Sequence, residues 1–385
     1  MADTVYLDNA ATTFPKPESV YTFMDRFYRD FGVNVGRGQH KLAARASALV
    51  AETRSMILEL NHALNKKVVL THTATEALNV ILQGQNWFDN ANIYISPFEH
   101  NAVTRVLAYI QTIYKVNIIE LTVNKINLTY DLEAINKQFR EFKPDVVIVS
   151  HASNVCGVLA PIHEIFKLAK RYDAITVVDM AQTMGLVDTD IGSEIIDYAV
   201  FAGHKTLYGP FGIAGFICSA TCKPKPLLFG GTGIDSANQS LPDMVPERYE
   251  IASPNIVAIA GLSASLSWIR EIGIKQILLK EKNNHLKLLD ALKHHRNIRV
   301  LEPVNGELSI GVVSCVFEGY GSDNIGQILS NHNIAVRTGL HCAPSAHRFL
   351  GTFPAGTVRF SVSYFNETSD FNILNTVLDY IEENS

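Results

Sequence analysis

Between about Lys41 and Ala220 the chain alternates short Val/Ile-rich runs with longer amphipathic stretches. This pattern constrains the fold most, because parallel strands need crossover connections of a dozen or more residues, usually helices. Lys41–Leu64 carries Leu42, Leu49, Ile57 and Leu60 at helical spacing. Val68–Thr71 then reads as a strand and Thr75–Gln83 as a helix. Ile93–Ser96, Ile118–Leu121, Val146–Ser150, Thr176–Val178 and Ala199–Phe201 continue the strand series. These runs are almost continuously apolar, which predicts strands covered on both faces. After Gly230 the texture changes. Gly230-Gly231-Thr232-Gly233, Pro242 and Pro246 mark an irregular passage, followed by a helical region over 255–294 that breaks near Gly273. The C-terminal part mixes strands (Val312–Phe317, Val358–Ser363) with helices (Asp323–Asn331, Ser369–Glu382). The fold expected is α/β: a large domain over 15–255 with a mostly parallel, helix-covered sheet, and a smaller α+β domain from 1–14 and 256–385.

At 385 residues, 47% apolar and 18% charged, the chain supports a large core and is not a disordered sequence. The length predicts two to three domains at about 150 residues each. With 33 basic and 38 acidic residues the net charge is −5, which leaves no broad basic face for nucleic acid. The N-terminus lacks the basic and apolar stretches of a signal peptide, and no run approaches the roughly 18 apolar residues of a membrane span. Five scattered cysteines (Cys156, Cys218, Cys222, Cys315, Cys342) do not make a disulfide framework. Cys218 and Cys222 lack the second pair a zinc site needs, so no metal is expected. A reducing cytoplasm is the expected location, with no membrane or nucleic-acid partner.

Chemistry concentrates in two segments, Val177-Val178-Asp179-Met180-Ala181-Gln182 and Phe201-Ala202-Gly203-His204-Lys205. Asp179 and Lys205 fall at the ends of neighbouring strand-like runs, where ligands gather in folds of this type. A lysine and an aspartate so placed fit pyridoxal phosphate. The lysine forms a Schiff base, and the aspartate keeps the pyridine nitrogen protonated so that the ring accepts electrons.

Further segments make the chain resemble a known family. Tyr6-Leu7-Asp8-Asn9-Ala10-Ala11-Thr12-Thr13, Glu99-His100-Asn101, Ser153-Asn154-Val155, Asp179-x-Ala181-Gln182 and Gly203-His204-Lys205 look like signatures of class V, fold-type-I pyridoxal phosphate enzymes. Arg337-Thr338-Gly339-Leu340-His341-Cys342-Ala343 is similar to the active-site cysteine segment of the cysteine desulfurases. The matches occur in the family's order, from residue 6 to about residue 365.

The resemblance implies roles for individual residues. Ala74 and Thr75 would open a helix whose N-terminus takes the cofactor phosphate, with Thr73 where the family usually has glycine. His100 would stack on the pyridine ring and move protons, Gln182 would bond the phenolic oxygen, and His204 would contact the phosphate. Ala202 stands where the family often has Ser or Thr, and Thr206 or backbone groups would compensate. Asn154 and Arg359 would hold the substrate α-carboxylate, since a guanidinium matches a carboxylate through parallel N–H···O bonds. Arg337 would assist there or favour the Cys342 thiolate, as would a protonated His341. Gly339, Pro344 and Gly351 bracket what reads as a loop able to swing Cys342 to its target. Cys156 reads as packing.

The activity implied is conversion of L-cysteine to L-alanine with a persulfide on Cys342, passed to a sulfur-acceptor protein. A homodimer is also implied. Gly230–Gly233 and Glu250–Asn255 resemble segments that complete the partner subunit's phosphate site, of which Ser253 carries over. Selenocysteine lyase, cystine or cysteine-sulfinate lyase and another class V aminotransferase share the pattern, and a non-catalytic scaffold of the same fold is the remote alternative.

Overall fold

Val146-Val147-Ile148-Val149-Ser150 has no polar face to offer solvent, and in the computed structural model all five residues are buried mid-sheet. The structure describes residues 4–36, 38, 40–221, 224–233, 237–304 and 309–384; Cys222 lies outside them. The N-terminal half runs β1 (Val5–Tyr6), α1 (Glu18–Phe31), α2 (Lys41–Leu60), β2 (Lys67–Thr71), α3 (Ala74–Gln83), β3 (Asn92–Ile95), α4 (Asn101–Gln111), β4 (Asn117–Glu120), α5 (Leu132–Glu141), β5 (Val146–Ser150) and α6 (Ile162–Ala169). Then follow β6 (Ile175–Asp179), β7 (Tyr198–Ala202), β8 (Ala214–Cys218), α7 (Ile256–Ile272), α8 (Ile274–His294), β9 (Ile298–Leu301) and β10 (Val312–Phe317). The chain ends with α9 (Ser322–Asn331), β11 (Ile334–Ala335), β12 (Arg337–Gly339), α10 (Pro344–Leu350), β13 (Thr357–Ser361) and α11 (Thr368–Glu383).

The main sheet has the order β2-β8-β7-β6-β5-β3-β4. Strands β4, β3, β5, β6 and β7 pair in parallel, and β8 runs antiparallel to both β7 and β2. Sequence periodicity passes over β8, whose short run contains Gly215. A side chain there would come within 2.2 Å of the Val69 carbonyl, so only glycine lets β8 nest between its neighbours. Both faces of the sheet are covered, as its apolar strands require. One face packs Val69, Ile93 and Phe216 against Leu78, Ile81, Val103 and Leu107 of α3 and α4. The other packs Val147, Val149 and Phe201 against α2, α6 and α7.

A second, fully antiparallel sheet has the order β12-β13-β10-β9 and shares a core with α8, α9 and α11. The helical region breaks at Gly273, whose φ of +86° suits glycine, and α7 and α8 meet there at 84°. Ile259, Leu262 and Ile269 of α7 bury in the large-sheet core, whereas Leu288 and Leu292 of α8 bury in the small one. The division expected at 255/256 therefore shifts to this bend, because the apolar surface of α7 completes the large core. No single described helix is long and apolar enough to cross a membrane.

The N-terminal arm ties the two cores together. β1 pairs with β11 and Asp8 bridges to Ser361 on the small side. Thr12 and Thr13 then donate to the carbonyls of His204 and Lys205 on the large side, at 3.0 and 2.9 Å.

Candidate active site

Parallel strands deliver their C-terminal ends to one edge of the sheet. There the loops after β2, β3, β5, β6 and β7 line a cavity of about 280 Å³. Ala74, Thr75, His100, Asp179, Gln182, His204 and Lys205 form its large-domain wall. Asn154, Arg337 and Arg359 also line it.

Lys205 follows β7 through a tight turn that needs Gly203, where a side chain would meet the Ile213 carbonyl at 2.6 Å. Burial pulls the Lys205 ammonium down to about 8; Asp179 opposes the change, while Arg359 and Arg337 reinforce it. The amine is thus partly neutral near physiological pH, as a nucleophile or proton carrier must be. Asp179, at the end of β6, accepts from the Ala181 N–H at 2.9 Å, and burial pushes its carboxyl up. His204 stacks on Phe211 with ring centroids 4.6 Å apart, and its Nδ1 is buried without a partner. Burial, then Lys205 and Lys16, push it to about 3.

His100 caps α4, its Nδ1 accepting from the Ala102 N–H at 3.0 Å. Burial and then the cation of Lys205 push it to about 4. The ring is therefore neutral, with its proton on Nε2. Thr73 caps α3 by accepting from the Glu76 N–H at 3.1 Å, in an extended conformation (φ −143°) open to any residue. Ala74 and Thr75 are the first residues of that helix, so their N–H groups have no intrahelical acceptor. Gln182 is pinned by donating from Nε2 to the Ala10 carbonyl at 2.9 Å.

The small-domain wall comes from the β12–β13 ladder, which places Arg337 directly opposite Arg359. Arg359 is fully buried, on an inner strand. Its Nη2 donates to Asp8 at 2.6 Å, its Nη1 to the Asn154 carbonyl at 3.1 Å, and its Nε has no partner. Like charges directly opposite are unfavourable, so the pair is set to receive an anion. Arg337 donates to Cys342 Sγ at 3.1 Å. Cys342, half-buried, lines a second cavity of about 370 Å³ that shares Thr75, His100 and Ala102 with the first. The thiol thus sits at the seam between the two.

Around Cys342 the structure corrects several expectations. The segment bracketed by Gly339 and Gly351 is mostly the helix α10, begun by Pro344, and the true turn is only Leu340–Ala343. Within it His341 and Cys342 have φ of +48° and +59°, left-handed values costing about 1–2 kcal/mol each for non-glycine residues. Asn154 Nδ2 donates to the His341 carbonyl at 2.8 Å, and the Asn101 N–H to the Cys342 carbonyl at 2.7 Å. One of the two Asn154 amide hydrogens is therefore committed to the cysteine turn. His341 is buried, and burial followed by Arg359 pushes it down to about 2, so it is neutral and Arg337 is the cation beside the thiol. Thr206 donates to the Met184 carbonyl at 2.8 Å and does not line the cofactor-sized cavity, so it does not replace the hydroxyl absent at Ala202. Ser253 lies apart, in a cavity of about 340 Å³ with Thr232, Gly233, His72 and Glu76. Cys156 is buried against Ala343 and Ala346.

The model of the family described as aminotransferase class-V matches residues 5–374. The chain belongs to the class-V aminotransferase family. A Pyrococcus abyssi protein named as a probable cysteine desulfurase is 30% identical over 389 residues, covering 99% of this chain and 94% of its own. A solved apo structure of a cysteine desulfurase from Thermococcus onnurineus NA1 superposes with a TM-score of 0.90 at 28% identity, covering 99% of this chain and 95% of that one. The cysteine desulfurase CsdA of Escherichia coli gives 0.86 at 26%, with the same coverage.

Two class-V residues carry site geometry that the sequence does not assign. Asp8 is the ion-pair partner of Arg359, and Glu99 accepts from Ser96 and Ser150. Both stand in the motifs quoted above. Nothing local shows that Asp8 meets an arginine near the other end of the chain.

Proposed function

We propose that the protein is a pyridoxal-phosphate-dependent cysteine desulfurase that converts L-cysteine to L-alanine and retains the sulfur as a persulfide on Cys342. Arg337 carries the reading: it lines the cavity of Lys205 and also donates to Cys342 Sγ, so amine and thiol serve one site. The names of the curated relatives and of the solved neighbours support it.

The residues present fit the cofactor. The unpartnered His204 Nδ1 and the free N–H groups of Ala74 and Thr75 suit a phosphate. Asp179 would hold a proton on the pyridine nitrogen, Gln182 would donate to the phenolic oxygen, His100 would cover the ring, and Lys205 would hold the group covalently. When bound, pyridoxal phosphate supplies an electron sink for negative charge developing at the substrate Cα.

Arg359 Nε, buried and unpartnered, would take the substrate carboxylate together with the free amide hydrogen of Asn154. That grip orients the Cα–H bond toward Lys205, which would remove and return the proton. Cys342 sulfur would attack the substrate sulfur; the new S–S bond forms as the substrate Cβ–S bond breaks, the electron pair of that bond stays on Cβ, and Cβ takes up the proton that the Cys342 thiol gives up. L-Cysteine and the Cys342 thiol thereby give L-alanine and a Cys342 persulfide, with no other reactant consumed.

We also read the chain as a cytoplasmic homodimer in which the Ser253 segment, set apart in its own chain, completes the partner subunit's phosphate site. The persulfide would then pass to an acceptor protein. The test is alanine release from L-cysteine with and without a reducing thiol. Wild type should turn over, and Cys342→Ala should keep the cofactor's visible absorbance while forming no persulfide. Normal sulfur transfer by Cys342→Ala defeats the reading.

A further inference from the structure

Glu99 is fully buried between β3 and α4, and no step above uses it. Three donors converge on its carboxyl group. Ser96 Oγ at 2.7 Å and the Ser150 N–H at 2.6 Å reach Oε1, and Ser150 Oγ at 2.9 Å reaches Oε2. Such an arrangement serves the acceptor-only carboxylate. Burial acts in the opposite sense, pushing Glu99 up to about 7, and the charge of Asp179 adds to the push. The topology explains that coupling. β3, β5 and β6 are consecutive in the sheet, and Ser150 lies directly opposite Asp179 across the β5–β6 pair. Adjacent strands are only about 4.8 Å apart. Ser150 and Asp179 line the cavity, and Glu99 stands behind Ser150. Tyr130 is the other titratable group that senses Glu99; burial raises its phenol, which is therefore neutral.

Two neighbouring buried acids are unfavourable until a cation joins them. We propose that Glu99 is a positioning residue that, through Ser150, sets a second negative charge behind Asp179 and so strengthens the site's hold on a proton at the cofactor's pyridine nitrogen. The inference rests on the pyridoxal phosphate reading above.

The experiment follows the ring nitrogen of ¹⁵N-labelled pyridoxal phosphate by NMR across pH in the holoenzyme, with no turnover needed. Glu99→Gln should lower the pH at which the ring nitrogen loses its proton by about one unit. If wild type keeps the proton throughout the range, the variant should bring its loss within it. Ser96→Ala, which keeps the acid but removes one donor, should shift the loss in the same direction by less. It also tests the idea independently if Glu99→Gln does not fold. Wild-type behaviour of the ring nitrogen in the folded variants overturns the proposal and leaves the functional reading intact. Failure of labelled cofactor to attach to wild-type Lys205 overturns both.

Discussion

The two walls of the cavity are built on different principles. The large-domain wall is made of strand ends. Asp179 and Ser150 end parallel strands and the Lys205 turn follows one, so the sheet order sets their spacing. The small-domain wall is made of register. Arg337 and Arg359 face each other across an antiparallel pair, and Cys342 sits in a left-handed turn just beyond it. The first wall buries acids beside a lysine, a local balance of charge suited to a cationic ring. The second accumulates positive charge around one thiol, a local imbalance suited to a carboxylate and a sulfur anion. On the proposed reading, cofactor chemistry and sulfur chemistry fall to different walls, joined by the N-terminal arm that touches both.

The largest expected effect breaks the first wall alone. Lys205→Ala should lower alanine formation by at least about 10³-fold, while alkylation of Cys342 by iodoacetamide keeps its wild-type rate. A loss of Cys342 reactivity in that variant would show that the walls are not separable. In the apoprotein, capture of pyridoxal phosphate should speed up as pH rises through about 8, because the depressed Lys205 ammonium deprotonates there. Stopped-flow absorbance checks this. A midpoint near the ordinary lysine value would contradict the burial argument.

Arg359→Lys keeps the charge but loses the planar fork, and should raise KM for L-cysteine by about 10- to 100-fold with a smaller change in kcat. An unchanged KM would move the carboxylate site elsewhere. Arg337→Gln removes the hydrogen bond to Cys342 Sγ and should slow persulfide formation about tenfold while Lys205 still captures the cofactor, a sharper separation of thiol from ring.

The last effect is on stability, not on the reaction, and concerns the contact between the two domains. There Tyr208 donates to Glu281 at 2.6 Å and accepts from the Tyr364 N–H at 3.0 Å. Burial pushes Glu281 up to about 7. The folded state then binds more protons than the unfolded chain between about pH 4.5 and 7, so stability falls as pH rises through that window. Wild type should lose about 2 kcal/mol of unfolding free energy between pH 5 and 8 that Glu281→Gln retains. Urea unfolding at the two pH values measures it, and equal pH slopes would exclude Glu281 as the source.

What could be read before folding depended on distance along the chain. The strand–helix alternation, the break at Gly273 and the Gly203-His204-Lys205 turn are local patterns, and backbone geometry responds to them within a few residues. Hydrophobic runs such as Val146–Ser150 also announce their double burial directly. β8 escaped because a short strand with a central glycine carries almost no periodicity. The helix α10 escaped because Gly339, Pro344 and Gly351 look alike whether they bracket a loop or cap a helix. The neutrality of His341 escaped because desolvation depends on what packs around a ring.

By itself, then, the sequence determined the parallel sheet, the strand ends that carry Asp179 and Lys205, and the presence of a thiol in an Arg–Gly–His–Cys setting. Only the tertiary structure decided that Arg337 faces Arg359, that Asp8 neutralises one of them, and that Ser96 and Ser150 converge on Glu99. The physical reason is that strand register and burial are set by packing between separate segments, as many as 351 residues apart for Asp8 and Arg359, whose free energy no local pattern records.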